Sequence, residues 1–313
     1  MEDVKCLFCD KDIVNIFWEE NGYKGRRCDA CKIVYISPRP TEEEMEILSR
    51  QGQAGGAPAE EYLQFSYTRK LNSRYVVRII KKFKKNCDLL EIGPGGGQFL
   101  LISKREGFNP FALEINKLLA NYIFYDLNIE TENRSASDSA SFGSRKFDVI
   151  YHKDLLYHLH HPKEAFLNFT EKLKDDGVLI FETGNLADVS KIWLKLLGRL
   201  DYPEHVYLFS DKSVRELLKI SGLELITEYY YSIIPILLIQ KALSSFKYGF
   251  KISQKTKVKG NLNENFTTLQ KIKGFLTHLL TCRLNRFFPH CLPSKIIYVT
   301  RKKKKLINRN DEL

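Results

Sequence analysis

The chain has 313 residues and a formal net charge of +11, a length that suits about two domains. The charge is uneven: residues 231–313 carry 17 of the 49 Lys and Arg but 3 of the 38 Asp and Glu, so the rest of the chain is slightly acidic and the basic excess excludes nothing about the core. The chain opens MEDVKCLFCD, with no hydrophobic leader, and its seven cysteines suit a reducing compartment, so a cytoplasmic protein is expected rather than a secreted disulfide scaffold.

The first predicted element is a metal knuckle pair. Cys6 and Cys9, then Cys28 and Cys31, form two C-x-x-C units that place four thiolates for a tetrahedral zinc site with no open position. Such a metal is structural. A redox C-x-x-C pair is the competing reading, and two pairs at ribbon spacing count against it. Pro38 and Pro40 end this ribbon, and Thr41 caps a helix that begins TEEEMEIL. Tyr62 and Tyr67 follow, ahead of the first core strand, as candidates to close over a ligand.

Residues 89–97 come next. Leu89 and Leu90 lead into Glu91, Ile92, Gly93, Pro94, Gly95, Gly96 and Gly97, and the stretch QFLLISKREG is helical. This is a strand, a glycine turn and a helix start, a layout that brings bare backbone against a nucleotide-like ligand. A dinucleotide fingerprint starting at Gly93 needs a third glycine where Gln98 stands, and a P-loop needs a Lys that is absent. The pattern is E-x-G-x-G-x-G. A carboxylate at Glu91 repels a pyrophosphate but suits an ammonium group, and S-adenosylmethionine carries one and has no phosphate. Residues 109–115 (NPFALEI) read as the second strand, closed by Glu114, an acid placed to accept from a ribose diol. The Ser-rich RSASDSASFG offers Asp138 on a following loop. KFDVIYHKDLLYHLHHP (146–162) is a strand that breaks into a His-rich turn and a helix, and DDGVLIFETGN (175–185) is a turn and a buried strand.

With these pieces in order, over about residues 60–230, the chain resembles the class I S-adenosylmethionine-dependent methyltransferases. The resemblance implies an α/β fold: a Rossmann-like seven-stranded sheet with a small N-terminal zinc ribbon and a C-terminal helical excursion. It implies that Glu91, Gly93, Gly95 and Gly97 hold the methionyl part of S-adenosylmethionine, Glu114 the ribose, and Asp138 the adenine side. A tight-packing turn with no ligand is the bland alternative. The ribbon running through CKIVYISPRP into this core looks like a subfamily common in bacterial sugar and polysaccharide gene clusters, and it also has the shape of zinc-ribbon enzymes that act on ribosomal RNA.

The organisation expected is a zinc ribbon over 1–40, a helical linker or lid over 41–85, and a methyltransferase domain over 86–313, with 233–293 an excursion between the last two strands, the final one antiparallel to the fifth. Two histidines are candidates for a general base toward an acceptor hydroxyl. His158 lies past the fourth strand, where a structural hydrogen bond at a helix start competes with catalysis. His205 lies in DYPEHVYLFS, an exposed aromatic loop similar to a substrate-side loop of the family. His152, His160 and His161 read as turn residues, and Cys87, Cys282 and Cys291 as idle thiols.

The tail contains two apolar stretches, 232–246 and 274–288, each shorter than the ~20 residues of a spanning helix, with a basic loop between them and a final strand ending in RKKKK. A lid, a peripheral membrane contact through 232–305, a nucleic-acid arm and an ordinary solvated helical cap compete for it. Phe275, Phe287 and Phe288 favour packing over phosphate tracking. The terminal NDEL is read as chance. The expected reaction is methyl transfer to a small-molecule or glycan acceptor, a sugar hydroxyl or carbon; an RNA methyltransferase and a cofactor-binding adaptor without chemistry are the alternatives.

Overall fold

A computed structural model describes residues 1–50, 59–234, 237–238, 266–283 and 292–303 of the chain. The basic loop read between 247 and 265, Phe287, Phe288, Cys291 and the terminal charge run beyond 303 lie outside the described residues.

The elements are β1 (Ile16–Glu20), β2 (Tyr23–Arg27), β3 (Val34–Ile36), α1 (Glu42–Arg50), α2 (Ala59–Tyr62), α3 (Tyr67–Ile80), β4 (Asp88–Ile92), α4 (Gln98–Arg105), β5 (Asn109–Leu113), α5 (Lys117–Tyr125), β6 (Glu130–Glu132), β7 (Phe147–Lys153), α6 (Pro162–Lys172), β8 (Leu173–Gly184), α7 (Lys191–Leu197), β9 (Tyr207–Leu208), α8 (Asp211–Ile220), β10 (Leu223–Ser232), α9 (Thr268–Cys282) and β11 (Ser294–Lys302). Seven strands form one sheet in the order β10-β11-β8-β7-β4-β5-β6. β4, β5, β6, β7 and β8 run parallel, and β11 inserts antiparallel between β8 and β10. This is the Rossmann-like arrangement expected, with the reversed last strand beside the fifth.

The central strands are near-continuous apolar runs because helices cover both faces. Leu89, Leu90, Val149, Ile150, Leu179 and Ile180 are fully buried. Helix starts follow local capping chemistry. The Thr41 hydroxyl accepts from the Glu44 amide at 3.3 Å while the Glu44 carboxylate accepts from the Thr41 amide at 2.8 Å, a reciprocal cap that starts α1. Asn116 caps α5 by accepting from the Leu119 amide, and Ser210 with Ser213 forms a capping box on α8. β8 starts at Leu173, earlier than the sequence suggests. Asp175, Asp176 and Gly177 belong to the strand through an irregularity in its pairing with β7.

The cysteine-bearing segment is built into the larger unit. Its strands form a second sheet in the order β1-β2-β3-β9, with Val34 opposite Leu208 and Tyr35 opposite Tyr207. Cys6, Cys28, Ile33 and Tyr35 share a single apolar core with Phe166, Phe169 and Phe209. No helix among the described residues is long and apolar enough to cross a membrane.

Candidate active site

The turn after β4 is the centre of the site. Gly93 and Gly95 have φ of 67° and 57°, a region that side chains with a Cβ rarely adopt, so the chain can reverse here with no side chain between its backbone and the cleft. The Gly95 amide donates to Glu114 Oε2 at 3.1 Å, and the Asn116 amide donates to Glu114 Oε1 at 2.9 Å. Glu114 is thus locked to the turn. Gly97 serves the packing of α4 against α5, since a Cβ there would run into Ile123 and Leu127. Gly96, which the pattern passes over, lies under the Tyr62 carbonyl with no room for a side chain and lines the cleft.

Both predicted acids are buried, Glu91 at 4% and Glu114 at 5% exposure. Burial raises the Glu114 carboxyl to about 7 despite its backbone hydrogen bonds. Burial also pushes Glu91 well above the ordinary range, against the pull of Lys153. Glu91 Oε2 is buried without a hydrogen-bond partner among the described residues. A buried acceptor without a donor is costly, and a cationic ligand group would relieve it.

Two cavities flank Gly93. One, of about 120 Å³, is lined by Ile92, Leu113, Ile115, Ala136, Leu155 and Met45 of α1. The other, of about 390 Å³, is lined by Glu91, Gly95, Gly96, Tyr62, Arg69 and a charged floor. An apolar slot and a charged cleft meeting over bare backbone fit a ligand with a flat ring at one end and a zwitterion at the other. That is the shape of S-adenosylmethionine.

Asp138 lines neither cavity. It pairs with Arg134 at 2.7 Å and accepts from the Ala140 amide at 2.9 Å, and Arg134 holds its carboxyl below the ordinary range. The acids beside the apolar slot are Glu42 and Glu46 of α1. Nothing in the sequence of that helix marks them as site residues.

Sequence reasoning also misses the charged floor. Glu182 of β8 accepts from the Tyr151 and Tyr231 hydroxyls and pairs with Lys153 at 3.2 Å. Asp154 pairs with Lys295 of β11. Burial alone would raise Asp154, but Lys295 and Lys153 hold it far below the carboxylate range. The available signal is a charged residue inside an apolar run, Glu182 in VLIFETG and Lys153 in VIYHK.

The two candidate histidines do come together, with ring centroids 4.9 Å apart. His158 ends a single 3-10 turn (Leu156–His158) and lines the apolar slot beside Gly93. Its Nδ1 lies 3.0 Å from the Glu204 carbonyl, which can only accept, so Nδ1 carries the proton and Nε2 keeps its lone pair. His205 lines neither cavity and packs on Tyr157 at 4.2 Å between centroids. The exposed loop expected around it is half-buried. Burial lowers the pKa of His158, and burial plus the neighbouring His158 lowers that of His205 to about 3. Both rings are therefore neutral near pH 7.

The other histidines take structural places. His152 is fully buried among Phe166, Phe169 and Phe181. His160 contacts the Pro40 carbonyl at 3.1 Å, and His161 stands 3.5 Å from Glu42. Tyr62 sits over Gly95 and Gly96, whereas Tyr67 packs edge-on against Phe266.

Away from the cleft, the ligand atoms of Cys6, Cys9, Cys28 and Cys31 all lie within 4.8 Å of one another. The Cys9 and Cys28 sulfurs are 3.7 Å apart, and the Cys31 amide points at the Cys28 sulfur at 3.4 Å. Four thiolates around a tetrahedral zinc, each about 2.3 Å from the ion, stand about 3.8 Å apart, so the cluster fits that metal. Cys87 and Cys282 are set apart from it, and burial raises each thiol to about 11, which leaves both protonated and inert.

A family profile described as "Methyltransferase domain" matches residues 64–228. No curated protein sequence matches the chain significantly. Among solved structures, 1,6-didemethyltoxoflavin-N1-methyltransferase from Burkholderia thailandensis, with bound 1,6-didemethyltoxoflavin and S-adenosylhomocysteine, is similar with a TM-score of 0.51 at 11% identity, over 93% of this chain and 100% of that one. A SAM-dependent methyltransferase from Archaeoglobus fulgidus is similar with a TM-score of 0.48 at 16% identity, over 75% of this chain and 94% of that one. The first of these likenesses is one of fold. The family profile spans more than half of the chain, so the protein belongs to the methyltransferase-domain family and is a class I S-adenosylmethionine-dependent methyltransferase.

Proposed function

We propose that the enzyme methylates a small-molecule or glycan acceptor, at a sugar hydroxyl or carbon, and that a zinc ion held by Cys6, Cys9, Cys28 and Cys31 keeps the ribbon in place. The observation that carries the acceptor class is the charged floor of the cleft. Lys153 and Lys295 present donors, and Asp154 and Glu182 present acceptors, side by side. Such alternation suits a compact ligand whose hydroxyls both donate and accept. It suits an extended polyanion poorly, because each lysine is already matched by an acid.

S-adenosylmethionine, when bound, supplies an electrophilic methyl group on a sulfonium. The residues around it have separable roles. Glu91, with its unpartnered oxygen, takes the ammonium, and Glu114, fixed by the turn amides, takes the ribose diol. Gly93, Gly95 and Gly96 let the backbone approach. Asp138 has only an indirect part, through its grip on Arg134, which lines the apolar slot. His158, beside Gly93 where the two cavities adjoin, is the base toward the acceptor with His205 behind it, whereas the sequence favours His205. We divide the chain into 1–40 as ribbon, 41–85 as a segment that brings Met45 and Tyr62 to the two cavities, and 86–313 as the catalytic domain.

The test is release of S-adenosylhomocysteine from the full-length enzyme, offered a panel of free and nucleotide-linked sugars beside a structured RNA. Turnover with a sugar-bearing compound is expected. Turnover confined to RNA would reject the acceptor assignment.

For the metal, elemental analysis of purified protein should find one zinc per chain, and a Cys6→Ser/Cys28→Ser variant should lose it. Because β3 pairs with β9 and the core is shared, metal loss should lower the main unfolding transition rather than delete a separate small one. Full metal content in the double variant would defeat the assignment.

A further inference from the structure

Helix α9 is turned inside out for a water-soluble surface. Its buried residues are Gly274, His278, Thr281 and Cys282, a small and polar set. They face α3, where His278 Nδ1 meets Asn72 Oδ1 at 2.8 Å, the His278 ring packs edge-on against Tyr75, and Gly274 lies against Tyr67 and Thr68. The opposite face carries Leu269, Ile272, Phe275, Leu276 and Leu279. All five are exposed, Leu269 at 75% and Phe275 at 54%. At 3.6 residues per turn these side chains fall within an arc of about 120°, and Lys271 and Lys273, both exposed, fall on its two edges.

The neighbouring surface is basic. Between residues 67 and 85, which include α3, stand eight Lys and Arg and no Asp or Glu. Lys81 and Lys84 pair with Glu106 and Asp176, while Arg74, Arg78, Lys82 and Lys85 are exposed. An apolar stripe bordered by lysines, in a field this positive, has the composition of a helix that lies in the plane of a membrane interface. The stripe enters the acyl boundary while the lysine stems extend to the headgroups.

We propose that the outward face of α9, with the basic surface of α3 beside it, docks on an anionic membrane surface. A second copy of the chain fits less well, since it would bring two strongly positive surfaces together. An RNA would meet the charges but would gain nothing from the apolar stripe at their centre. The proposal is independent of the acceptor assignment, because it concerns a face formed by α9 and the outer side of α3. The two faces meet at Asn72, which both lines the cleft and binds His278.

The experiment is co-sedimentation of the full-length protein with phosphatidylcholine vesicles, either alone or containing about 30% phosphatidylglycerol, at about 0.1 M salt. Binding to the anionic vesicles only, declining as salt rises, is expected. Phe275→Ser/Leu276→Ser and Lys271→Glu/Lys273→Glu should each weaken it by about tenfold or more. Their melting temperatures should match the parent, because the substituted side chains are exposed. The proposal is overturned if the anionic vesicles bind no protein or bind the serine variant as well as the parent. It is overturned equally if the parent is a dimer that Phe275→Ser dissociates, if amide exchange across 269–279 is already slow and unchanged by vesicles, or if an RNA oligonucleotide binds while vesicles do not.

Discussion

Glu114→Ala should weaken S-adenosylmethionine binding by about 1–3 kcal/mol, the cost of leaving buried hydrogen-bonding groups unpaired. The variant removes more than a contact with ribose. Its two oxygens accept the Gly95 and Asn116 amides, so the alanine also frees the turn over which the cofactor lies. Glu114→Gln keeps the volume and one acceptor oxygen but sets an NH2 donor against one of the two backbone amides, so it removes the charge and a single turn hydrogen bond. In the cofactor-free enzyme the carboxyl sits at about 7 because it is buried. Ribose hydroxyls donate to the ionised form and favour it, so binding should expel a proton. Affinity should fall as pH drops below about 7, by up to tenfold per unit, and Glu114→Gln should flatten that slope.

The same shift acts on stability with the opposite sense. A carboxyl raised in the folded state contributes stability that is fully present below its unfolded value and is lost as pH rises through about 7. Glu114→Gln should therefore be less destabilising to the cofactor-free enzyme at pH 8 than at pH 4, as read by chemical denaturation. Parent and Glu114→Ala proteins with the same cofactor affinity at pH 8 would remove Glu114 from the site.

Much of this site is legible in the sequence because its signals are local. The offset from Glu91 through the glycines to Glu114 survives folding, since a parallel strand pair sets those acids side by side, with Glu91 opposite Ala112 and Glu114 just past the end of β5. Knuckle spacing alone brings the four sulfurs together. What stays hidden depends on sheet order or on a single backbone turn. Lys295 and Asp154 are far apart in sequence and meet only because β11 inserts beside β8. β9 is two residues long and carries no periodicity, yet its pairing with β3 ties the ribbon to the segment holding His205. At Asp138 the residue type suits the expected role, but the turn from 135 to 141 aims its carboxylate at Arg134 and the Ala140 amide.

That tie gives the histidines their test. His158→Ala should lower turnover by about 10²–10⁴-fold, the usual worth of a positioned general base, while cofactor affinity stays near the parent value. The Nδ1 contact with the Glu204 carbonyl fixes the ring and its tautomer, so the Nε2 lone pair is the group lost. His205→Ala should cost less, because that ring supports His158 from the Tyr157 side and lines neither cavity. Burial lowers the pKa of both rings, to about 3 for His205. At saturating cofactor, turnover should therefore lose its histidine-dependent part below pH 6.5, the ordinary imidazole value. The acid limb that comes from Glu114 would appear in the cofactor KM instead, which keeps the two titrations apart. Near-normal turnover in both alanine variants would take the histidines out of the chemistry. A fall in cofactor affinity equal to the fall in rate would make them supports of the turn between β7 and α6, because a base toward the acceptor has no reason to alter cofactor binding.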